Sequence, residues 1–525
     1  MTHPRAPRLS RRGLLRLGAA AAGAAVLPSL GACAGPTGGP SPGTLVLALN
    51  RSLVSLDNKL NQFDAAVTVQ RAVRQALTRI GPELTPEPVL ADRFELTAPT
   101  EWTVRLREGV RYSDGSPVTP GDVATALEMY RQVSGSFLAT FFPEWPRVEP
   151  VDDRTFLMVT ERPLPVLDYL MANILITPAA ANAPEELQSG IGSGPYTVTA
   201  ANRGTGTYTL RRNDAYWGPA PAVRTVDVRF LPEESSRVVS LRSGEVDVID
   251  TISPDSAEQL AGLPEVEMES VPGTRINQLF YNFRKPPDHP LSDVRVREAL
   301  SYAVDGRRLV EDVLVGSVTP ADGVVASSLS GAVSTGEYVH DPRRAREMLA
   351  AAGIGAGDLN LTLIWETGEF ASDTTVMEAV LQMLREVGVG VTLRQFEPGG
   401  DIPLWRQGRG GDWDVIGNGF ATPTGVAITS LQGMYGGTAE REETRDTYHG
   451  YVVPEVTDLL DRAYAEVDAE ARQALVAEAQ HAVWRTWPCM WAFVPNSVLA
   501  RRRRVRGLAL ETTNCYDLAA VRLDG

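Results

Sequence analysis

The stretch Arg105–Val123, RLREGVRYSDGSPVTPGDV, narrows the possible folds more than any other part of the chain. Val104, Leu106, Val110 and Tyr112 stand among polar residues in a broken strand-like alternation, with Gly109 at the break. Asp114-Gly115 is a turn dipeptide, because glycine accepts the positive φ that such turns need. Pro117 and Pro120 keep the chain from turning helical too early. Thr119 then falls at an N-cap, Pro120 at N1 and Asp122 at N3, where a carboxylate suits the positive end of the helix dipole. The stretch predicts a strand and tight turn feeding the helix ATALEMYRQV.

The same reading extends along the chain. TLVLAL at 44–49 predicts a first strand, and VQRAVRQALTRI at 69–80 carries apolar residues at helical spacing. The dipeptides around Gly192 and Pro195 mark a sharp reversal before the strand YTVTA. TVDVRFL alternates as a strand, and Gly244 closes a helix ahead of the short apolar strand VDVI. Asp293 fits an N-cap, with Val296, Ala299, Leu300 and Ala303 on the buried face of the next helix. Asp341-Pro342 opens the helix RRAREMLAAAG, which Gly353 ends. LTLIW, VTLRQF, GDWDVIGNGF and MWAFVP are strands, separated by the helical segments TTVMEAVLQMLREVG, VPEVTDLLDRAYAEV and AEARQALVAEAQHAVWRTW. Strands alternating with helices imply α/β layering. At 525 residues, with 43% apolar and 22% charged side chains, the chain can bury a large core. A net charge of −15 argues against a nucleic-acid partner.

The amino terminus reads as an export signal. Ser10-Arg11-Arg12-Gly13-Leu14-Leu15-Arg16 resembles a twin-arginine motif. The apolar run from Leu17 to Leu30 is shorter than the ~20 residues that span a bilayer, and Pro28 interrupts it. Leu30-Gly31-Ala32-Cys33 resembles a lipobox, which makes Cys33 the expected lipidation site and residues 1–33 the signal. Residues 34–43, rich in Gly, Pro and Ser, suit a flexible tether to the outer face of the cytoplasmic membrane. Cys489 and Cys515 remain, and export makes a disulfide between them possible.

Several blocks carry a family resemblance. The Arg105–Val123 stretch resembles the pattern LR-x-G-V-x-F-x-D-G-x-P-x-T-x-x-D-V of the extracellular solute-binding proteins of family 5, which serve dipeptide, oligopeptide and nickel importers. Gly192-Ser193-Gly194-Pro195-Tyr196 resembles the family's G-T-G-P-Y. Arg212-Asn213-Asp214-Ala215-Tyr216-Trp217-Gly218 and Leu241–Ile249 (LRSGEVDVI) match further blocks, as do NQLFYN at 277–282 and PLSDVRVREALSYAVD at 290–305. The resemblance implies an α/β chain with the two-lobed periplasmic-binding-protein type 2 fold and an additional inserted domain. Lobe I would comprise residues 44–80, 191–276 and 500–525, the inserted domain 81–190, and lobe III 277–499. It further implies a monomeric receptor without cofactor, enclosing a small polar solute between lobes I and III and delivering it to an ABC permease. A peptide is the expected ligand. A nickel chelate, an oligosaccharide or an opine-like compound are the alternatives, and a secreted hydrolase on this scaffold is the rival from another class.

Catalytic signatures are scarce. The histidines His3, His289, His340, His449 and His481 form no HExxH or HxH, and no G-x-S-x-G elbow occurs. The only lysines, Lys59 and Lys285, lie in no P-loop. No metal site is expected. The ligand-binding candidates are Asn50 and Arg51, which follow the first strand, Tyr281 and Asn282 near the expected lobe crossing, Trp365 at a strand end, and Trp405, Asn418, Gly419 and Phe420 in lobe III segments. Peptide-binding relatives carry G-W-x-x-D, whose Asp pairs with the peptide ammonium. Here the segment is Gly419-Phe420-Ala421-Thr422-Pro423, with proline at the acid's position and Asp412 or Asp414 as nearby substitutes. Trp484, Trp487 and Trp491 read as core, and the Arg501–Arg504 run as a solvated sheet edge.

Overall fold

The computed structural model describes residues 43–50, 56, 59, 64–133, 137–181, 190–202, 204–370 and 372–524. The expected signal, tether and Cys33 lie outside these. Among the described residues no helix is long and apolar enough to cross a membrane.

The Arg105–Val123 reading holds residue by residue. The strand Glu101–Leu106 leads into a turn in which Asp114 Oδ1 accepts from Ser116 N (2.9 Å) and Gly115 has φ +88°. The helix Pro120–Gln132 opens on a capping box: Thr119 N donates to Asp122 Oδ2 (2.8 Å) and Asp122 N to Thr119 Oγ1 (3.4 Å). Four antiparallel strands, in the order Ala91–Ala98, Glu101–Leu106, Thr155–Val159, Arg147–Pro150, form a separate sheet in this part of the chain.

The main sheet has twelve strands. Its path runs Gly390–Phe396, Asn360–Glu366, Val415–Phe420, Ile276–Tyr281, Cys489–Arg502, Val248–Asp250, Thr44–Leu49, Thr225–Phe230, Thr207–Arg212, Tyr196–Asn202. Val266–Pro272 and Val318–Pro320 pair onto Cys489–Arg502 off this path. On one side of that long strand the core gathers Leu45, Leu47, Val69, Val73, Tyr196 and Val226. On the other it gathers Leu279, Leu300, Leu363, Val376, Val380 and Phe493.

One predicted helix is shorter than its periodicity. It spans Asp64–Val73 rather than continuing to Ile80, and Thr78–Ile80 forms a hairpin with Pro86–Pro88. Val73 O accepts instead from Gly194 N (2.9 Å), so the carbonyl that would propagate the helix is already bonded. This contact also explains the Gly-Ser-Gly-Pro-Tyr motif: a Cβ on Gly192 would lie 1.9 Å from Val73 O, and one on Gly194 2.4 Å from Ala72 O.

Two further expectations are corrected. Cys489 and Cys515 are both buried and are not bonded to each other. Cys489 opposes Phe280 at the outer end of its strand and meets Tyr338 Oη (2.9 Å). Cys515 lies in the C-terminal tail, where its backbone oxygen accepts from Glu511 N (2.8 Å). The fold seats the two thiols in different places, and a disulfide needs its Cα atoms within about 7 Å. The Arg501–Arg504 run is not a solvated edge either. Arg501 pairs with Glu269 (2.7 Å), Arg502 donates to Leu241 O (3.3 Å), Arg503 pairs with Glu267 (3.2 Å), and Arg504 holds the fully buried Asp247 in a bidentate pair (2.6 and 2.8 Å).

Candidate ligand cleft at the strand crossing

Register marks a crossing in the main sheet. Up to Pro495, the strand Cys489–Arg502 pairs with Ile276–Tyr281 and Val318–Pro320. From Asn496 it pairs with Val266–Pro272 and then Val248–Asp250. A proline suits the point where ladder partners change, because it has no N–H to offer. The neighbouring chain crosses at the same level through Gly273, whose N donates to Pro495 O (3.0 Å) and where a Cβ would lie 2.8 Å from that oxygen.

The strands on each side aim their carboxyl ends at this crossing. Thr44–Leu49 is parallel to Thr225–Phe230 and to Val248–Asp250, and Asp250 opposes Leu499, so all three end toward Asn496. Asn360–Glu366 is parallel to Val415–Phe420, and Phe420 opposes Ile276, so both end beside Gly273. Open α/β sheets bind ligands in the crevice outside carboxyl strand ends.

A polar network occupies the second of these edges. Glu369 Oε1 accepts from Gly419 N (2.7 Å) and from Arg275 Nη2. Arg275 Nε donates to Asn277 Oδ1 (2.9 Å). Asn277 is fully buried, and its Nδ2 has no partner among the described residues. Asp373, at the start of the helix Asp373–Glu386, accepts from Gly368 N (2.7 Å) and Glu369 N (3.2 Å) and so fixes the loop that carries Glu369. Gly419 is dictated by this packing: a Cβ there would lie 1.9 Å from Asn277 Oδ1 and 2.5 Å from Arg275 Nε. On the opposite edge Asn50 N donates to Asp250 Oδ1 (3.0 Å), and the buried Arg237 guanidinium lies 3.9 Å from the same carboxylate. Arg237 also donates to Leu231 O and Pro232 O (2.8 Å each) and to Thr251 O (2.9 Å), tying together the ends of two strands.

Three of the predicted residues stand at these edges. They are Asn50, Asn418, whose Oδ1 accepts from Gly419 N (2.8 Å), and Gly419. Arg51 lies outside the described residues. Phe420 is buried, its ring 5.7 Å from those of both Phe137 and Phe141 and 5.6 Å from that of Tyr448. Trp365 is buried in the core with Val376 and Met377. Trp405 is packed on Phe396 (5.3 Å) beneath the Arg394 guanidinium (3.9 Å).

Tyr281 and Asn282 do not reach the crossing. They follow Ile276 along its strand by about 17 Å, at the opposite edge of the sheet. Tyr281 Oη donates to Arg297 O and Asn282 Nδ2 to Trp413 O (2.9 Å each), which are bonds of the framework. The substitute acids are at that end too: Lys285 Nζ meets Asp412 and Asp414 at 2.7 Å each, and Asp414 also accepts from Thr362 N (2.7 Å). Arg275, Asn277 and Glu369 were not singled out from the sequence. Their only signal is polar residues in RINQLF, at the head of an otherwise apolar strand, and an acid in the loop after LTLIW.

Behind Phe420 lies a titratable group without partners. His449 is fully buried among Phe280 (4.7 Å), Tyr448 (3.8 Å) and Trp413 (5.7 Å), has φ +53°, and neither ring nitrogen is bonded among the described residues. Burial, reinforced by the Arg406 and Arg284 guanidinia, holds its pKa well below the usual histidine value. A folded-state pKa below the unfolded one means that the unfolded chain binds the proton first. Stability is then fully present above about pH 6.5 and falls by about 1.4 kcal/mol per pH unit below it, until the folded-state pKa is reached. Thermal melts between about pH 7.5 and 5.5 should show this loss. His449→Asn, which tolerates the left-handed backbone and does not titrate, should flatten it; an unchanged slope would remove His449 as its source.

Comparison with known proteins bears on the fold and the family. The family model for bacterial extracellular solute-binding proteins, family 5 Middle, matches residues 85–442. Glutathione-binding protein GsiB of Escherichia coli (strain K12) is 25% identical over 479 residues, covering 88% of this chain and 91% of its own. Among solved structures, the dipeptide binding protein from Pseudoalteromonas sp. SM9913 in complex with Met-Leu superposes with a TM-score of 0.78 at 18% identity, covering 92% of this chain and 100% of its own. The binding protein AgaA of Agrobacterium tumefaciens R10 in complex with agropinic acid gives 0.76 at 22% identity, with 92% and 99% covered. With the family model spanning more than half of the sequence, the chain belongs to the bacterial extracellular solute-binding proteins of family 5.

Proposed function

We propose that this protein is the solute receptor of an ATP-driven importer and that its ligand is a small molecule carrying both charges, a short peptide first of all. The observation that carries this reading is the Arg275–Glu369 pair at the carboxyl edge facing the crossing. Glu369 can take an ammonium and Arg275 a carboxylate, and both are part-buried, so exchange of their mutual bond for bonds to a solute costs little net desolvation. The fully buried Asn277 adds an uncommitted donor. The name of GsiB and the Met-Leu complex of the dipeptide binding protein support a peptide, and the agropinic acid complex of AgaA keeps an opine-like ligand as the second reading.

Residues 44–80, 191–276 and 500–525 then act as lobe I, 277–499 as lobe III and 81–190 as the inserted domain. The change of ladder partners at Pro495–Asn496 supports a hinge slightly ahead of residue 499. The solute leaves chemically unchanged, no cofactor takes part, and a Cys33-linked lipid holds a monomer at the outer face of the cytoplasmic membrane, where it meets the permease. Native mass spectrometry of freshly purified protein tests the ligand class. A ladder of co-purified peptide masses is expected; a single opine, sugar or chelate mass would overturn the peptide reading, and turnover of a peptide into products would overturn the receptor.

A further inference from the structure

The loop that follows Phe420 is held across the cleft from the inserted domain. It leaves the cleft edge at Gly419 and carries Pro423 at the position where an acid was expected. Asn173, in the segment after the short helix Leu167–Met171 and almost fully buried, donates from Nδ2 to Pro423 O (3.2 Å). Its Oδ1 accepts from Arg71 Nη2 (3.3 Å), and Arg71 Nη1 lies 3.5 Å from Glu511 Oε2 in the C-terminal tail. The amide orientation is forced, since a guanidinium only donates and a proline carbonyl only accepts.

The surroundings close the same gap. A Cβ on Gly425 would stand 3.0 Å from Ile80 Cγ2 and 3.3 Å from Leu84 Cδ2, and Phe137 and Phe141 reach Phe420 from the inserted domain. On its other side the loop is tied to lobe III, where Ser330 N donates to Gly425 O (3.0 Å). Asn173 is therefore the one side chain among the described residues that hydrogen-bonds both the lobe I helix Asp64–Val73 and the lobe III loop.

We propose that Asn173 is an interlobe clasp: a positioning residue through which the inserted domain keeps the Phe420–Val426 loop closed over the Arg275–Glu369 edge and sets how long a solute stays. A donor–acceptor bond within the protein occupies the place from which a ligand's ammonium would otherwise be read. The inference rests on the receptor reading, and its test separates the two.

Val239→Cys and Val467→Cys, both exposed and on opposite sides of the crossing, accept spin labels in a Cys33→Ser background, where the remaining thiols of Cys489 and Cys515 are buried. In solute-free full-length protein, the distance distribution should shift to longer separations in Asn173→Ala and equally in Asn173→Asp. The aspartate keeps, and strengthens, the bond to Arg71 but has no donor for Pro423 O. With reduced glutathione as probe, both variants should release it about three- to tenfold faster, with the association rate unchanged. Parental distances in both variants would overturn the clasp. Parental behaviour of Asn173→Asp alone would overturn it as well, by assigning the effect to Arg71. If glutathione does not bind the parental protein, that solute is excluded for the receptor, while the distances still decide the clasp.

Discussion

Arg504→Ala is expected to lower the stability of the folded chain by about 3–5 kcal/mol. The reason is Asp247. Its carboxylate is fully buried, accepts from Val46 N (2.9 Å) and meets Arg504 through two bonds of 2.6 and 2.8 Å. Arg504 Nη2 also donates to Thr44 O (3.1 Å), so one guanidinium joins the first strand, the turn before Val248–Asp250 and the C-terminal segment. Removing it leaves an ionised carboxylate in the interior with a single backbone donor. The pair itself is not the source of the stability, because desolvation offsets much of its attraction. The double variant Asp247→Leu with Arg504→Met should therefore recover most of the loss. Denaturant midpoints of the three proteins check this; a double variant as unstable as Arg504→Ala would show that shape at this junction, and not the stranded charge, sets the cost.

The second large effect is on binding. Glu369→Gln should weaken capture of a solute with a free ammonium by roughly 30-fold or more, while unfolding stays near that of the parent. The glutamine preserves the bond from Gly419 N and the shape of the loop but cannot neutralise an ammonium, and it leaves Arg275 with its charge unopposed. Calorimetry with free and N-acetylated forms of one peptide separates the contributions: the parent should prefer the free form, and Glu369→Gln should bind the two alike. Arg275→Gln should show the same collapse of preference at the carboxylate end, tested with amidated peptide. Equal affinity of the parent for free and blocked peptides would sink the two-charge site, whatever the variants do.

These predictions draw unequally on sequence and structure. The Thr119–Asp122 capping box, the Asp114-Gly115 turn and the N-caps at Asp293 and Asp341 were legible because a cap or a tight turn is specified by residues within a few positions of each other. The family blocks were legible for the same local reason, and they led to the correct fold. Of the candidate residues, Asn50, Asn418 and Gly419 follow or end strands whose carboxyl ends converge on the crossing. Tyr281 and Asn282 lie away from the crossing, because period-2 reasoning places a side chain on a face but does not say which end of an antiparallel strand meets the crossing. Arg275 and Glu369, far apart in sequence, acquire meaning only as a pair.

By itself the sequence determined most of the element types, the α/β layering and the family, since all of these follow from local propensity, periodicity and short motifs. Only the tertiary structure decided where the helix after Asp64 stops, that Cys489 and Cys515 stay apart, that Arg501, Arg503 and Arg504 pair with carboxylates, and which polar groups stand at the crossing. Each of those depends on hydrogen-bond donors and acceptors brought together from distant segments, and a buried polar group is settled by the partner it finds in space, not by its neighbours along the chain.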